Sequence, residues 1–247
     1  MLAVIAVPYH LGERGAAVGG GPLRITPLLS FPSTILELGD RISWHRVNDG
    51  ITTAVSDARE ADHFPLVLAG NCNSCLGTLA AVQDLQPGVV WFDAHGDFHT
   101  EATSISGSLE GMSLTLATTR FVSEKNVVLA GARALDPGEM ERVHERLHYV
   151  PSGILQRNLP LPNRVYVHVD LDVLDPSISP GVNFQGAGGV TIEVLRDSLS
   201  LVLTRYNVVA MAITNYNPDR DVENRTRHII VDLIEFIRDL RSTSSSR

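Results

Sequence analysis

The amino-acid sequence predicts an α/β protein of three layers, in which a mainly parallel, doubly wound sheet lies between two layers of helices. Short apolar runs recur along the chain, and most are continuous rather than alternating, which is typical of strands buried on both faces. Stretches with helical spacing separate these runs. Strands that alternate with helices in this way form parallel sheets with crossover helices.

The predicted strands are rich in valine, isoleucine, leucine and aromatic residues. In chain order they cover residues 2–7, 42–47, 65–69, 89–92, 127–130, 165–169 and 208–213. The first strand has no basic segment before it, so we interpret it as a buried strand and not as a signal peptide.

Helices are predicted between the strands, over residues 34–38, 52–62, 74–83, 112–119, 137–147, 191–204 and 221–240. Thr191 is a suitable N-cap, and Pro137 suits the first turn of a helix that follows Asp136. The last helix carries one apolar stripe between residues 229 and 240, and a stripe of this kind faces a core.

Length and composition limit the kinds of protein to which this chain can belong. A chain of 247 residues with 44% hydrophobic residues can form one large domain, which we expect over residues 1–241, before a disordered tail at 242–247. The net charge of −8 argues against a nucleic-acid-binding surface. No run reaches the ~20 apolar residues of a membrane span. Two cysteines are too few for a disulfide scaffold, and the cytoplasm is the expected compartment.

The apolar run that ends at Phe92 is followed by three side chains of the types that bind metals. Asp93, His95 and Asp97 lie at alternate positions, and alternate side chains of an extended chain point to one side. Where the strand ends and the chain turns, the three can converge on one point. Two carboxylates and an imidazole suit Mn²⁺, Zn²⁺ or a similar divalent ion.

A second predicted strand, residues 165–169, ends in the same way at Asp170 and Asp172. A single aspartate after a strand is usually a helix cap or a turn former. Several carboxylates at two strand ends, however, repel one another unless a cation lies between them. Ligands of doubly wound sheets bind beyond the carboxyl ends of the strands. We therefore predict a metal site here, most simply one for two ions.

These segments together resemble motifs of the arginase/agmatinase (ureohydrolase) family. Residues 93–97 resemble its D-A-H-x-D motif, and residues 170–176 resemble its D-x-D-x-x-D-P motif. Residues 131–139 resemble its G-x-R-x-x-D-P-x-E segment, and Asn217 and Pro218 fall where the family has an E-x-N-P ending. The matching segments extend over almost the whole chain.

The resemblance implies an α/β/α fold, a small guanidino or amidino substrate and two Mn²⁺ ions. Asp93 and Asp170 would bridge the ions. His95 and Asp172 would complete one site, and Asp97 would belong to the other. In such a centre a hydroxide that bridges the metals attacks the guanidinium carbon. The resemblance also implies a homo-oligomer, a trimer or a hexamer.

The chain departs from the family in the remaining ligand of the first metal. Where the family has G-G-D-H-S, residues 70–74 read G-N-C-N-S, so Asn73 occupies the position of the histidine ligand. An amide oxygen binds Mn²⁺ more weakly than imidazole does, and the nearby Cys72 can supply a thiolate instead. This ion is expected to be weakly held or missing. Cys72 and Cys75 also form a C-x-x-C pair, for which a thioredoxin-like redox role is the alternative.

Two further departures concern catalysis and the reacting end of the substrate. Glu110 stands where arginases have a histidine that transfers protons. We expect Asp97 and Glu110 to be the catalytic residues. The alternative for Glu110 is an ordinary solvated carboxylate of a loop. Asn215 stands where the family's glutamate pairs with the substrate guanidinium, so a charge-assisted contact is lost. A neutral or less basic amidine, such as an N-hydroxyguanidine, would be better matched.

The other end of the substrate has candidate partners in two segments. His99, Ser104 and Ser106 fall where arginases bind the α-carboxylate, and Asp136 and Glu139 fall where they recognise the α-amino group. Small polar residues are also what loops ordinarily contain. The loop after Asp97 nevertheless has the length of the arginase loop, which favours an amino-acid substrate.

The sequence therefore predicts a metal-dependent hydrolase of a C–N bond in a linear amidine. The best specific hypothesis is an arginine derivative such as Nω-hydroxy-L-arginine, which would give hydroxyurea and ornithine. The alternative is a ureohydrolase fold that has lost catalysis and serves as a binding or assembly subunit, because Asn73, Glu110 and Asn215 are changes that a decayed site could show.

Overall fold

The computed structural model describes residues 1–244, and its central feature is a sheet of eight parallel strands. The strands of the chain are β1 (Leu2–Val7), β2 (Tyr9–His10), β3 (Glu13–Arg14), β4 (Ser33–Ile35), β5 (Phe64–Ala69), β6 (Gly88–Phe92), β7 (Val127–Ala130), β8 (His148–Val150), β9 (Arg164–Asp170) and β10 (Asn207–Thr214). The order across the sheet is β4-β1-β5-β10-β9-β6-β7-β8. The remaining two strands, β2 and β3, form a small antiparallel hairpin.

Helices cover both faces of this sheet. They are α1 (Gly21–Ile25), α2 (Trp44–Glu60), α3 (Cys75–Val82), α4 (Ser113–Arg120), α5 (Pro137–Arg146), α6 (Ile192–Arg205) and α7 (Arg225–Ser244). Buried residues of α2, α3, α4 and α5 share one core with the sheet, and those of α1, α6 and α7 share the other. The predicted three-layer α/β/α architecture with a parallel, doubly wound sheet is confirmed.

Each central strand contributes to both cores, which explains why its sequence is apolar at every position. In β6, Val90 and Phe92 enter the core that contains α6 and α7, whereas Val89 and Trp91 enter the opposite core. All five residues of β6 are buried. A strand buried on both faces has no solvent side that would require polar residues.

Two predicted elements near the N-terminus are wrong in type. Residues 34–38 were expected to be helical, but Ser33–Ile35 is an edge strand that pairs with β1, since pairing along the sheet outweighs a weak local preference. Residues 42–47 were expected to form a strand, but α2 begins within them. The Ser43 hydroxyl caps that helix by accepting from the backbone N–H of Arg46, and Val47 begins its buried stripe.

The end of the chain extends the last helix beyond its predicted limit. The helix α7 reaches Ser244, so the tail predicted for residues 242–247 begins within it, and residues 245–247 lie outside the described residues. Within residues 1–244, no helix is long and apolar enough to cross a membrane.

Gly77 allows α3 to lie close against α2, and its replacement tests this packing. A Cβ at position 77 would lie 2.4 Å from the carbonyl oxygen of Asn48 and 2.8 Å from Cβ of Ile51. Because neither atom belongs to a flexible side-chain end, Gly77→Ala is expected to lower the free energy of unfolding by about 1–3 kcal/mol, as measured by urea denaturation.

Gly138→Ala is the matched control. Gly138 is exposed in α5, where the nearest atom to an added Cβ is Cβ of Thr103 at 3.9 Å. This substitution is expected to leave stability unchanged or to raise it by about 0.4–1 kcal/mol. Equal effects of the two substitutions would contradict close packing at Gly77.

Candidate metal centre and active site

The four central strands of the sheet end at one place, and the predicted metal ligands lie there. The strands β5, β10, β9 and β6 are neighbours in the sheet and run parallel, so their carboxyl ends meet at one edge. Beyond these ends lie Cys72 and Asn73 after β5, Asn215 after β10, Asp170 and Asp172 at β9, and Asp93, His95 and Asp97 after β6. The structure therefore brings together two acidic stretches that are far apart in sequence.

Backbone N–H groups hold three of the carboxylates in place. An oxygen of Asp93 accepts from the N–H of His95 at 2.7 Å, and one of Asp170 accepts from the N–H of Asp172 at 2.9 Å. One oxygen of Asp172 accepts from the N–H of Ala94, also at 2.9 Å, and so links the two stretches. Hydrogen bonds of this kind orient a ligating carboxylate before an ion binds.

The ligand atoms form two groups that share Asp93. In the first group, Nδ1 of His95 lies 2.9 Å from an oxygen of Asp172 and 3.4 Å from an oxygen of Asp93. In the second group, Sγ of Cys72 lies 2.9 Å from Oδ2 of Asp170. Within each group all three ligand atoms, one of them from Asp93, lie within 4.8 Å of one another. Two adjoining cation sites that share one carboxylate fit this arrangement.

The electrostatics of the cluster also favour a bound cation. Burial, together with neighbouring carboxylates, raises the pKa of Asp97 and of Asp170 well above the usual range. Burial and the charge of Asp93 raise the pKa of Asp172 to about 6. Burial alone would lower the pKa of His95, but hydrogen bonds to Asp172 and Asp93 outweigh it and raise that pKa to about 12. One imidazolium therefore offsets only part of the negative charge, and a divalent ion that took the place of its Nδ1 proton would offset more of it.

Cys72 and Cys75 do not have the environment of a redox pair. Both thiols are free and buried, and burial raises the pKa of each, whereas a reactive thiol has a lowered pKa. The Cys75 sulfur faces the carbonyl oxygen of Ser113, at 3.9 Å, while the Cys72 sulfur faces Asp170. Asn73 is buried next to them, and its amide nitrogen has no hydrogen-bond partner within the described part of the chain. Cys72 is thus the residue of this turn whose donor atom lies among the carboxylates.

Asp97 lies in the left-handed region of backbone conformation, with φ of +49°. Its side chain is buried, and Oδ2 has no partner among residues 1–244. It stands outside both groups of ligand atoms. An unpaired buried carboxylate oxygen of this kind is costly, and an ion at the neighbouring group would remove the cost.

A cavity of about 530 Å³ opens over the cluster. The predicted site residues that line it are Cys72, His95, Asp97, His99, Ser106, Glu110, Asp136, Glu139, Asp170, Asp172 and Asn215. Ser104 is not among the lining residues, and its hydroxyl accepts from the N–H of Gly107 at 3.0 Å. Asp93 and Asn73 are buried outside the lining. The cavity thus joins the metal cluster to most of the predicted substrate contacts.

The lining of the cavity also includes a histidine with two further carboxylates, here called the acidic end. Nε2 of His99 lies 3.3 Å from Asp136 and 3.8 Å from Glu139. Burial raises the pKa of Glu139, and one of its oxygens accepts from the N–H of Phe98 at 2.8 Å. Carboxylates beside an imidazole suit a ligand that carries both an amino group and a carboxylate.

Sequence reasoning missed two residues of this region. Phe184 lines the cavity while 58% exposed, with its ring 6.4 Å from that of His95. Its only signal was its position within a glycine-rich segment. Nε2 of His10 lies 3.7 Å from Glu110, and this neighbouring carboxylate raises the pKa of His10. No sequence pattern connects these two residues.

Asn215 has a defined orientation because its amide nitrogen faces two acceptors. Nδ2 donates to Oδ2 of Asp170 and lies 3.5 Å from the Cys72 sulfur. Its Oδ1 is buried and has no partner in the described region. The backbone at Asn215 has φ of +69°, a conformation that asparagine tolerates better than most residues. The amide oxygen is therefore left to accept from a ligand.

Comparison with known proteins gives the chain its relatives. The Arginase family model matches residues 33–237. The arginase of Brevibacillus brevis is 32% identical, with 96% of this chain and 97% of the relative covered. The crystal structure of the arginase from Bacillus subtilis is 26% identical, has a TM-score of 0.81 and covers 96% of this chain and 97% of its own. The proclavaminate amidino hydrolase of Streptomyces clavuligerus, 20% identical with a TM-score of 0.78 over 95% of this chain and 89% of its own, shares the fold.

Metal binding should stabilise the protein, because an ion relieves the repulsion among the buried carboxylates. After chelation, Mn²⁺ at 100 times its Kd is expected to raise the free energy of unfolding by about 2.7 kcal/mol, observed as a higher Tm. Asp93→Asn should remove most of this gain, since Asp93 belongs to both ligand groups. Asp175→Asn is the control, because Asp175 belongs to neither ligand group and its carboxylate accepts from the N–H and the hydroxyl of Ser177. Loss of the gain in both variants, or in neither, would contradict the assignment.

Proposed function

The chain belongs to the arginase family, and from that premise we propose that it hydrolyses Nω-hydroxy-L-arginine to hydroxyurea and ornithine. It is a ureohydrolase of guanidino compounds, and proteins of its family are hydrolases of C–N bonds in amidines. The observation that carries the proposed substrate is the neutral, oriented amide of Asn215 beside the metal cluster.

Two groups of residues would hold the ions, for which we propose Mn²⁺. Asp93, His95 and Asp172 would hold one, and Cys72, Asp93 and Asp170, with Asp97 beside them, would hold the other. The orientation of the Cys72 thiol supports it, rather than Asn73, as the replacement for the family's histidine ligand. When bound, the ions would supply a water of lowered pKa as the nucleophile.

Asn215 would select the reacting group of the substrate. A guanidinium carries a full positive charge near neutral pH and is best bound by a carboxylate. An N-hydroxyguanidine is far less basic than a guanidine, so it binds more readily in its neutral form. The neutral form needs no carboxylate to offset a charge. The free Oδ1 of Asn215 would accept a hydrogen bond from its N–H or O–H group, which would satisfy an acceptor that is otherwise buried and unpaired.

The acidic end of the cavity would bind the amino-acid part of the substrate. The α-amino group would pair with Asp136 and Glu139, while His99 and the hydroxyl of Ser106 would face the α-carboxylate. This end and the metal cluster line one cavity, so a ligand with reactive and amino-acid ends can contact both. Binding at both ends would hold the scissile C–N bond over the cluster.

Glu110 would carry the proton that the departing amine needs. Hydrolysis releases ornithine through its δ-nitrogen, which must gain a proton as the C–N bond breaks. Glu110 lines the cavity, and its Oε1 is buried without a hydrogen-bond partner among the described residues. Its other oxygen faces His10 at 3.7 Å, from which the carboxyl group can be reprotonated.

The first test compares substrates. With Mn²⁺, the value of kcat/KM for Nω-hydroxy-L-arginine is expected to exceed that for L-arginine by about 10- to 100-fold, since the arginine guanidinium lacks its charge-assisted partner. Chromatography of hydroxyurea, urea and ornithine measures both reactions, and agmatine and formimino-glutamate complete the panel. No turnover of any of the four would refute the proposed function.

Asn215→Glu should then move the kcat/KM ratio toward L-arginine by about tenfold or more, because it restores a carboxylate. Asn215→Gln is the matched control, since it has the same length without the charge. A ratio that moves equally in both variants would show that side-chain length, and not charge, sets the preference.

The second test concerns Glu110. Glu110→Gln removes the transferable proton while keeping the shape of the side chain, and kcat is expected to fall by about 10²- to 10⁴-fold with little change in KM. Glu101→Gln is the control, because Glu101 is an exposed carboxylate of the same loop region. An unchanged kcat in Glu110→Gln would show that Glu110 is not the proton donor but a solvated carboxylate of the loop.

A further inference from the structure

A line of buried polar side chains leads from the interior of the sheet to the Cys72 sulfur. It consists of Tyr166 and His168 on β9 and Thr214 at the end of β10. None of the three is more than 1% exposed, and the reaction outlined above uses none of them. Polar groups this deeply buried require partners, and here the partners are one another.

The geometry of the line is continuous. The Tyr166 hydroxyl lies 2.9 Å from Nδ1 of His168, and Nε2 of His168 lies 3.3 Å from Oγ1 of Thr214. The same Oγ1 lies 3.4 Å from the sulfur of Cys72. Each atom in the series thus has its neighbour within hydrogen-bonding reach.

The sheet itself fixes this line. His168 is paired with Trp91 on β6, and their rings stack with centroids 3.7 Å apart and an angle of 11° between the planes. Thr214 is paired with Asp170 of the metal cluster. The strand register therefore sets the position of the imidazole and of the hydroxyl that links it to the site.

The hydrogen bonds of the line can run in only one direction without leaving a buried proton unpaired. The Tyr166 hydroxyl has His168 as its sole hydrogen-bond partner in the described structure, so its proton must go to Nδ1. A neutral imidazole that accepts at Nδ1 donates at Nε2. The Nε2 proton then occupies the oxygen of Thr214, and the Thr214 hydroxyl proton is left to point at the Cys72 sulfur.

We propose that Tyr166, His168 and Thr214 are positioning residues that aim the Thr214 hydroxyl proton at the Cys72 sulfur and so orient and tune it as a metal ligand. This inference rests on the proposed function, in which Cys72 binds the first ion. A hydrogen bond to a ligating sulfur withdraws electron density from it and changes its bond to the metal. The amide nitrogen of Asn215, 3.5 Å away, is a second donor to the same sulfur.

The test uses Co²⁺ as the probe, because a cobalt–thiolate bond gives a sulfur-to-cobalt charge-transfer band in the near ultraviolet. The wild-type protein loaded with Co²⁺ should show this band, and Cys72→Ser should abolish it. Thr214→Val removes the donated hydrogen bond, so the band is expected to move to longer wavelength and Co²⁺ affinity to fall by about 10- to 100-fold. Thr214→Ser keeps a hydroxyl and should restore both.

Two further variants separate tuning from general disturbance. Tyr166→Phe removes the donor at the far end of the line without touching a ligand, and it should move the band in the same direction by a smaller amount. Thr78→Val is the control, because Thr78 is fully buried and its hydroxyl donates to the carbonyl of Ser74, the residue that precedes its helix. Its band should coincide with that of the wild type, and circular dichroism verifies that each variant is folded.

The outcomes distinguish the two levels of the proposal. A wild-type Co²⁺ protein without the band would overturn Cys72 as a ligand, and this inference with it. A wild-type band whose position and metal affinity are the same in Thr214→Val would overturn this inference alone and leave Cys72 as a ligand. Equal shifts in Thr214→Val and Thr78→Val would also overturn it, because the effect would then not depend on a hydrogen bond to sulfur.

Discussion

The fold places four aspartates at one edge of its sheet, and the site depends on how the repulsion among them is offset. Asp93, Asp97, Asp170 and Asp172 are all buried, and Nδ1 of His95 lies 3.4 Å from an oxygen of Asp93 and 2.9 Å from one of Asp172. Burial makes the charged state costly, as the raised pKa values of Asp97, Asp170 and Asp172 show. Such a cluster persists in a folded chain when something offsets its charge. A divalent ion held by these residues would do so, at the point where the proposed hydrolysis needs one.

Holding these carboxylates requires rigid loops, and the segment of residues 131–139 supplies much of that rigidity. The Arg133 guanidinium donates to six carbonyl oxygens, those of Gly131, Asp172, Val173, Leu174, Gly186 and Ala187. It thus ties the ligand turn after β9 to the glycine-rich loop that carries Phe184. Glu139 ties α5 to the turn after Asp97 through the N–H of Phe98. Motif residues that contact no metal therefore determine where the metal ligands lie.

The sequence predicted the central strands well because they are buried on both faces, and an apolar run between helices has few other interpretations. It predicted β4 and the start of α2 wrongly for two reasons. The edge strand β4 is fixed by pairing with β1, and the start of α2 is fixed by the Ser43 cap, and the hydrophobic pattern shows neither. The metal cluster was predictable because strand ends concentrate ligands in short motifs. The contacts of Glu110 with His10 and of Cys72 with Thr214 were not, because they join segments distant in sequence.

The changes at positions 72, 73 and 215 are best understood as one change, because the residues involved meet in space. Relative to the family pattern, Cys72 stands at the position of an aspartate, Asn73 at that of the histidine ligand, and neutral Asn215 at that of the substrate-binding glutamate. Even with Cys72 as a thiolate, these three positions carry one negative charge fewer than the family pattern, and the charge that is lost is the one that would face the substrate. Asn215 donates to Asp170 and faces the Cys72 sulfur, whereas a glutamate there would repel both. A thiolate ligand at Cys72, as proposed above, is therefore compatible with the amide of Asn215, which adds no negative charge beside it. The missing carboxylate at position 215 is thus the feature that supports the proposed substrate, which carries less charge than arginine.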